Sequence, residues 1–216
     1  DKMNASMNLQ ELSVKEFIDK VTGNDPVPGG GSVSALNGSL AASLAAMVAN
    51  LTVGRKKYAE VNDEMEQISA RMTEQSAKLL ADVDRDAEAY DRVFAAFKLP
   101  KETDEEKAVR KEAIQRETKY AAEVPMEVAR TASALLPMID AAARRGNSNA
   151  VTDATVAMMC ARTAVIGALL NVRINLTSIT DEAFVKTMTE EADRLEAVAV
   201  EAEHKLLEYV KAHAFN

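Results

Sequence analysis

Between Asp25 and Arg55 the chain carries no charged residue. A helix with no charge on any side has no face to offer water, so it must be buried nearly all round. Its residues are mostly Ala, Ser, Gly, Leu, Val and Asn, small enough to let neighbouring helices approach closely. It opens with Pro26-Val27-Pro28-Gly29-Gly30-Gly31-Ser32 and ends at Gly54, followed by Arg55-Lys56-Lys57-Tyr58. The open end presents backbone N–H groups without intrahelical partners, which suit an anionic or carbonyl-bearing ligand. The stretch reads as the central helix of an all-α protein with a binding site at its glycine end. Val33–Val53 is also long enough to span a membrane. Ser32, Ser34, Asn37, Ser39, Ser43, Asn50 and Thr52 interrupt it, which favours a buried helix and no membrane.

Helix formers dominate the rest of the chain, and tryptophan is absent. Its 216 residues suffice for one helical domain, 1–216, with a substantial core. A net charge of −8 argues against a nucleic-acid binder that works by neutralising phosphates. Cys160 stands alone and can form no internal disulfide, which fits a reducing compartment. Asp1–Gln10 is polar and lacks the apolar run of a leader, so a cytoplasmic setting is the expectation.

Ser13 and Glu16 form a capping box, with Leu12 and Phe17 placed as a hydrophobic staple. A long amphipathic helix follows from Ala59 to Leu99. Its inward positions are Val61, Met65, Ile68, Met72, Leu79, Val83, Tyr90, Val93 and Phe97. Pro100 ends it, and Thr103 with Glu106 caps the next helix, which runs to Leu136 with a break or kink at Pro125. Pro137 and Arg144–Asn149 punctuate the chain before a second nearly uncharged helix, Thr152–Leu176. Thr180, Asp181 and Glu182 start the last helix, which turns Val185, Met188, Leu195, Val198, Leu206 and Tyr209 inward. The fold class is an all-α bundle of long antiparallel helices with two low-charge helices at its centre.

Asp86 breaks the pattern: the three-four spacing through Leu79 and Val83 reserves that position for core. A buried carboxylate must be paired, protonated or facing a cavity. Asp82 and Tyr90 lie one turn to either side, so the three can share a surface. A structural ion pair with a cation from another helix is the plainer alternative. Asp153 opens the second uncharged helix, where the dipole favours an acid in any case. Asn147 and Asn149 before it serve either as turn residues or as part of a hydrogen-bonding cluster. Asn171 and Asn175, one turn apart in that helix, are harder to assign to solvent. The triple glycine lacks the Gly-Lys-Ser/Thr ending of a phosphate loop. His204 and His213 sit on a charged face, and no grouping has metal-ligand spacing, so a metal or covalent mechanism is not expected. General acid–base and electrostatic catalysis remains.

Residues 26–36 and 47–58, with Asp86-Ala87-Glu88-Ala89-Tyr90, Gly146-Asn147-Ser148-Asn149…Asp153 and Asn171-Val172-Arg173-Ile174-Asn175-Leu176, resemble the cyclodeaminase/cyclohydrolase family of folate enzymes. The resemblance covers nearly the whole chain in order. It implies an all-helical homodimer acting on one-carbon derivatives of tetrahydrofolate. One branch closes 5-formimidoyltetrahydrofolate to 5,10-methenyltetrahydrofolate with release of ammonia, and in animals is fused to a formiminotransferase. The other is a stand-alone bacterial cyclohydrolase that interconverts the methenyl and 10-formyl forms. The motifs do not separate the branches, and a non-catalytic helical dimerisation module is the reading from another class.

For such chemistry Asp86 is the expected acid–base group, with Lys57 or Asp153 beside it. Asp153, Asn147, Asn149 and Asn171 would pair with the pterin ring, and Arg55 and Lys56 would hold the acidic tail. Gly29, Gly30, Gly31 and Ser32 would form the close-approach wall, with Asp82 and Tyr90 completing the lining.

Overall fold

The computed structural model describes residues 8–216. The polar character read for residues 1–7 falls outside them. Six α-helices follow one another: α1 (Val14–Thr22), α2 (Gly30–Asn50), α3 (Asn62–Phe97), α4 (Asp104–Arg145), α5 (Val151–Leu176) and α6 (Glu182–His213). Short 3-10 turns at Leu9–Glu11, Lys56–Val61 and Ser148–Ala150 complete the order, and no strand occurs among the described residues. The fold is the expected all-α bundle, with one hydrophobic core drawing on α2 through α6.

The charge-free helix lies at the centre, against α3, α4 and α5. It runs antiparallel to α5: Gly30 lies beside Asn171, Ser34 against Gly167, and Gly38 beside Ala164. A Cβ on Gly167 would overlap the Ser34 hydroxyl, so the missing side chain is what permits this approach. α2 and α5 are each long and apolar enough to cross a membrane, and in this fold each packs into the bundle. α2 ends at Asn50, earlier than Gly54 suggests. Residues 51–54 form a turn that Gly54 closes at φ 80°, its N–H donating to Asn62 Oδ1 at 2.8 Å.

The capping box forms at Ser13, and α1 lies across an apolar groove lined by Val33, Leu36, Leu80 and Val83. In α3 the stripe Met65, Ile68, Met72, Leu79 and Val83 is buried as expected. The helix begins at Asn62, because the residues before it coil as a 3-10 turn. Tyr90 and Phe97, read as inward, are exposed, since this end of the α3–α4 hairpin outruns the main core. A small cluster of Ala89, Ala121 and Val124 holds the hairpin together there. Val198 of α6 also faces out rather than in.

The largest departure is α4, one helix of 42 residues that passes through both Pro125 and Pro137. Proline removes the N–H that would bond the carbonyl four residues earlier, so each leaves one carbonyl to be satisfied. For buried Pro125 that carbonyl is Ala121's, which accepts from Asn175 Nδ2 of α5 at 3.2 Å. Pro137 faces solvent, where water can serve the freed carbonyl of Ser133. A partner on another helix therefore replaces the expected break.

Candidate active site

A cavity of about 330 Å³ opens at the glycine end of α2. Its walls are Pro26, Val27 and Gly29–Gly31, then Asp86, Ala89, Tyr90 and Val93 of α3, Ala121 of α4, and Asn171, Ile174 and Asn175 of α5. Asp86 reaches it because Gly31 is a glycine: a Cβ built there would overlap both carboxylate oxygens. The carboxylate lies against the first turn of α2, beside the backbone of Gly31 and Ser32. Burial pushes its pKa up to about 6; the Ser32 N–H pulls the other way, and nearby Asp82 adds to the rise. Among the described residues no cation lines the cavity.

Ser32 itself is buried, its hydroxyl donating to the Val83 carbonyl at 2.7 Å and so pinning α2 to α3. Its backbone serves the site, and its side chain serves the fold. Asn171 Nδ2 donates to the Gly167 carbonyl at 3.0 Å. Asn175 Nδ2 is taken by the carbonyls of Asn171 and Ala121. Both amides are oriented by backbone, which leaves their Oδ1 atoms as acceptors. The cavity thus combines a carboxyl near neutrality, two amide oxygens, the free N–H groups of Gly30 and Gly31, and a Tyr90 ring on an apolar wall. That inventory suits a flat heterocycle with N–H donors and a cationic or developing-cationic centre.

The other expected site residues fall elsewhere. Asp82 does not line the cavity; it sits between α3 and α4 with Arg85 Nη1 at 2.8 Å and Lys78 Nζ at 3.7 Å. Arg55, Lys56, Lys57, Asn147, Asn149 and Asp153 gather at the opposite end of α2. There the Asn147 N–H donates to Thr52 Oγ1 and its Nδ2 to the Leu51 carbonyl, and Tyr58 and Ser148 share hydrogen bonds. With 21 residues, α2 separates the two groups by about 30 Å. Of the three catalytic candidates, only Asp86 is in the cavity of this chain. Asn147 also has a structural task, because it ties the α2 end to the α5 entry.

Among the lining residues Ala121 carries no sequence signal, Val93 reads only as a core position, and Ala89 and Ile174 stand out only as members of longer motifs. Asn175 did carry one, an amide one turn beyond Asn171 in a helix with almost no charge. Among the described residues no cluster of His, Cys, Asp and Glu with metal-binding geometry occurs.

Residues 13–194 match the family described as Formiminotransferase-cyclodeaminase. The chain belongs to that family. It is 36% identical over 200 residues to the methenyltetrahydrofolate cyclohydrolase of Methylorubrum extorquens, covering 93% of this chain and 96% of that protein. It is 37% identical over 177 residues to the formimidoyltransferase-cyclodeaminase of Rattus norvegicus, covering 82% of this chain but only 33% of that longer protein. Among solved structures, the formiminotetrahydrofolate cyclodeaminase of Thermotoga maritima superposes with a TM-score of 0.84 at 35% identity, over 94% of this chain and 98% of that one. Family membership and the bundle architecture therefore agree.

Proposed function

We propose that this chain is a folate one-carbon enzyme that converts 5-formimidoyltetrahydrofolate to 5,10-methenyltetrahydrofolate and ammonia. The observation that carries the reading is Asp86, a carboxyl with its pKa pushed up to about 6, set in a cavity with the side-chain amides of Asn171 and Asn175. The protonated formimidoyl group on N5 is an amidinium, and its positive charge is matched by Asp86. N10 attacks the amidinium carbon. The N10 proton passes to Asp86 as the new C–N10 bond forms. The same proton is then delivered to the exocyclic nitrogen, the C–N bond breaks and ammonia leaves. The product is the methenyl cation, so charge and protons balance. A group that accepts and then donates one proton works best with a pKa near the working pH.

The full-length similarity to the Methylorubrum protein favours a second reading, cyclohydrolase. Here Asp86 would take a proton from water adding to the methenyl carbon and return it to N5 as that C–N bond opens, while the remaining hydroxyl proton leaves to solvent as the 10-formyl carbonyl forms. Methenyl absorbance separates the cases. Its growth from the formimidoyl compound, with ammonia released, identifies a cyclodeaminase; accelerated loss of the methenyl signal identifies a cyclohydrolase. No effect on either would leave the non-catalytic module.

The working unit in this proposal is a cytoplasmic homodimer. Val156, Met159, Leu170 and Ile174 form an exposed apolar line along α5, with Leu40 of α2 also 49% exposed. A two-fold axis perpendicular to these helices reverses α2 in the second copy. The Arg55–Lys57 end of one copy is thereby brought towards the Asp86 end of the other, where positive charge would meet an acidic tail. Leu170→Asp is expected to convert a species of twice the chain mass in sedimentation equilibrium to a monomer and to remove turnover. A monomeric wild type would refute the arrangement.

A further inference from the structure

We infer that Asp82 is a positioning residue, whose buried negative charge, secured by Lys78 and Arg85, makes Asp86 the better proton acceptor of the two carboxyls. Asp82 is only 1% exposed and lies one helical turn before Asp86 on α3. Its Oδ1 accepts from Arg85 Nη1 at 2.8 Å, while its Oδ2 has no hydrogen-bond partner. Lys78 Nζ stands 3.7 Å from that Oδ2, an ionic distance rather than a hydrogen bond. Both cations also reach Glu127 of α4, Arg85 at 3.0 Å and Lys78 at 3.2 Å. Lys78 is fixed further by Thr131 at 3.1 Å. Two cations and two carboxylates thus close a neutral quartet at the α3–α4 seam.

Asp86 stands outside this quartet and, among the described residues, makes no ion pair. From α2 it meets only the Gly31 backbone and the Ser32 N–H, since that helix carries no charge. The α4 and α5 residues that share its cavity, Ala121, Asn171, Ile174 and Asn175, do not titrate. On α3, Asp82 and the exposed Tyr90 are its titratable neighbours. Burial raises Asp82 against the pull of Lys78 and Arg85, so two carboxyls compete for protons within one turn. The cations reach Asp82 and not Asp86 and hold the charge on Asp82, so a proton taken up by the pair goes to Asp86.

The sign of the effect follows directly. Asn at 82 removes a negative charge beside Asp86 and leaves Lys78 and Arg85 opposed only by Glu127. Both changes favour the Asp86 carboxylate.

This inference rests on reading Asp86 as the acid–base group, yet it can be tested without substrate. Carbon-13 NMR titration of the Asp86 carboxyl, assigned with Asp86→Asn, reads its midpoint directly. In Asp82→Asn that midpoint is expected to fall by roughly one pH unit. Glu127→Gln, on the exposed rim, is expected to shift it in the same direction by less, and it supplies the answer if Asp82→Asn does not fold. The acid limb of the turnover profile should move with the midpoint, which a merely structural role would not produce. An Asp86 midpoint unchanged in the folded variants would overturn the inference. Absence of turnover in the wild type would count against the proposed function alone.

Discussion

Asp86→Asn is expected to reduce turnover about a thousandfold while raising the melting temperature at pH 8. The first effect is the loss of a general acid–base group. The second follows from linkage. A carboxyl whose folded pKa is raised from 3.8 to about 6 contributes stability that is complete below pH 3.8 and is lost as pH rises through about 6. The loss amounts to at most about 3 kcal/mol. Asparagine carries no charge to bury, so the variant escapes that loss at pH 8 and has no such advantage below pH 3.8. Thermal melts at both pH values, beside the methenyl absorbance assay, check the two parts. Near-normal turnover would remove Asp86 from the mechanism. A melting temperature unchanged at pH 8 would show that the carboxyl is not strained by burial.

Gly31→Ala should be nearly as damaging to activity and, unlike Asp86→Asn, should destabilise the fold. The added methyl would occupy the space of the Asp86 carboxylate, so that side chain must move. A displacement of about 1 Å at a catalytic group can remove about a hundredfold in rate. Overpacking costs about 1–3 kcal/mol. Gly30→Ala is the control, because its Cβ would meet only Asn171 Nδ2 at 3.7 Å, an ordinary contact. Adding Asp86→Ala to Gly31→Ala removes the clash, so urea denaturation should show stability recovered while turnover stays lost. Failure of the double variant to recover would place the damage elsewhere in the first turn of α2.

The residues most legible from sequence were those that broke a pattern. Asp86 interrupted an apolar stripe, and the structure puts it at a cavity. The charge-free run announced a central helix, and the heptad-like spacing of Met65 through Val83 announced the face it packs on. Distance through space was not legible in the same way. Lys57, Asp153, Asn147 and Asn149 share the chemistry of a site with Asp86, but α2 holds them at its far end. Only the packing of α2 against α5 reveals which chain segments meet at each end. Asp82 looked like part of the same surface as Asp86 because a helix places both on one side. Its cations Lys78 and Arg85 lie on the same helix, one turn to either side, but Glu127 of α4, which draws both cations to the α3–α4 seam, is invisible to one-helix spacing. The prolines misled for a related reason. Pro125 reads as a break until Asn175, 50 positions later, is seen holding the freed carbonyl.

The small residues of α2 have a consequence for how a ligand is received. Ala and Gly have no rotamers to lose, and the serines of this helix are held by backbone carbonyls or by Ser76. The glycine wall of the cavity therefore has little conformational freedom left for a ligand to quench. Any entropy spent on binding falls on the facing wall, where Tyr90 is 43% exposed. Recognition in this cavity is one-sided: a rigid anvil of backbone on α2 faces an exposed aromatic ring on α3.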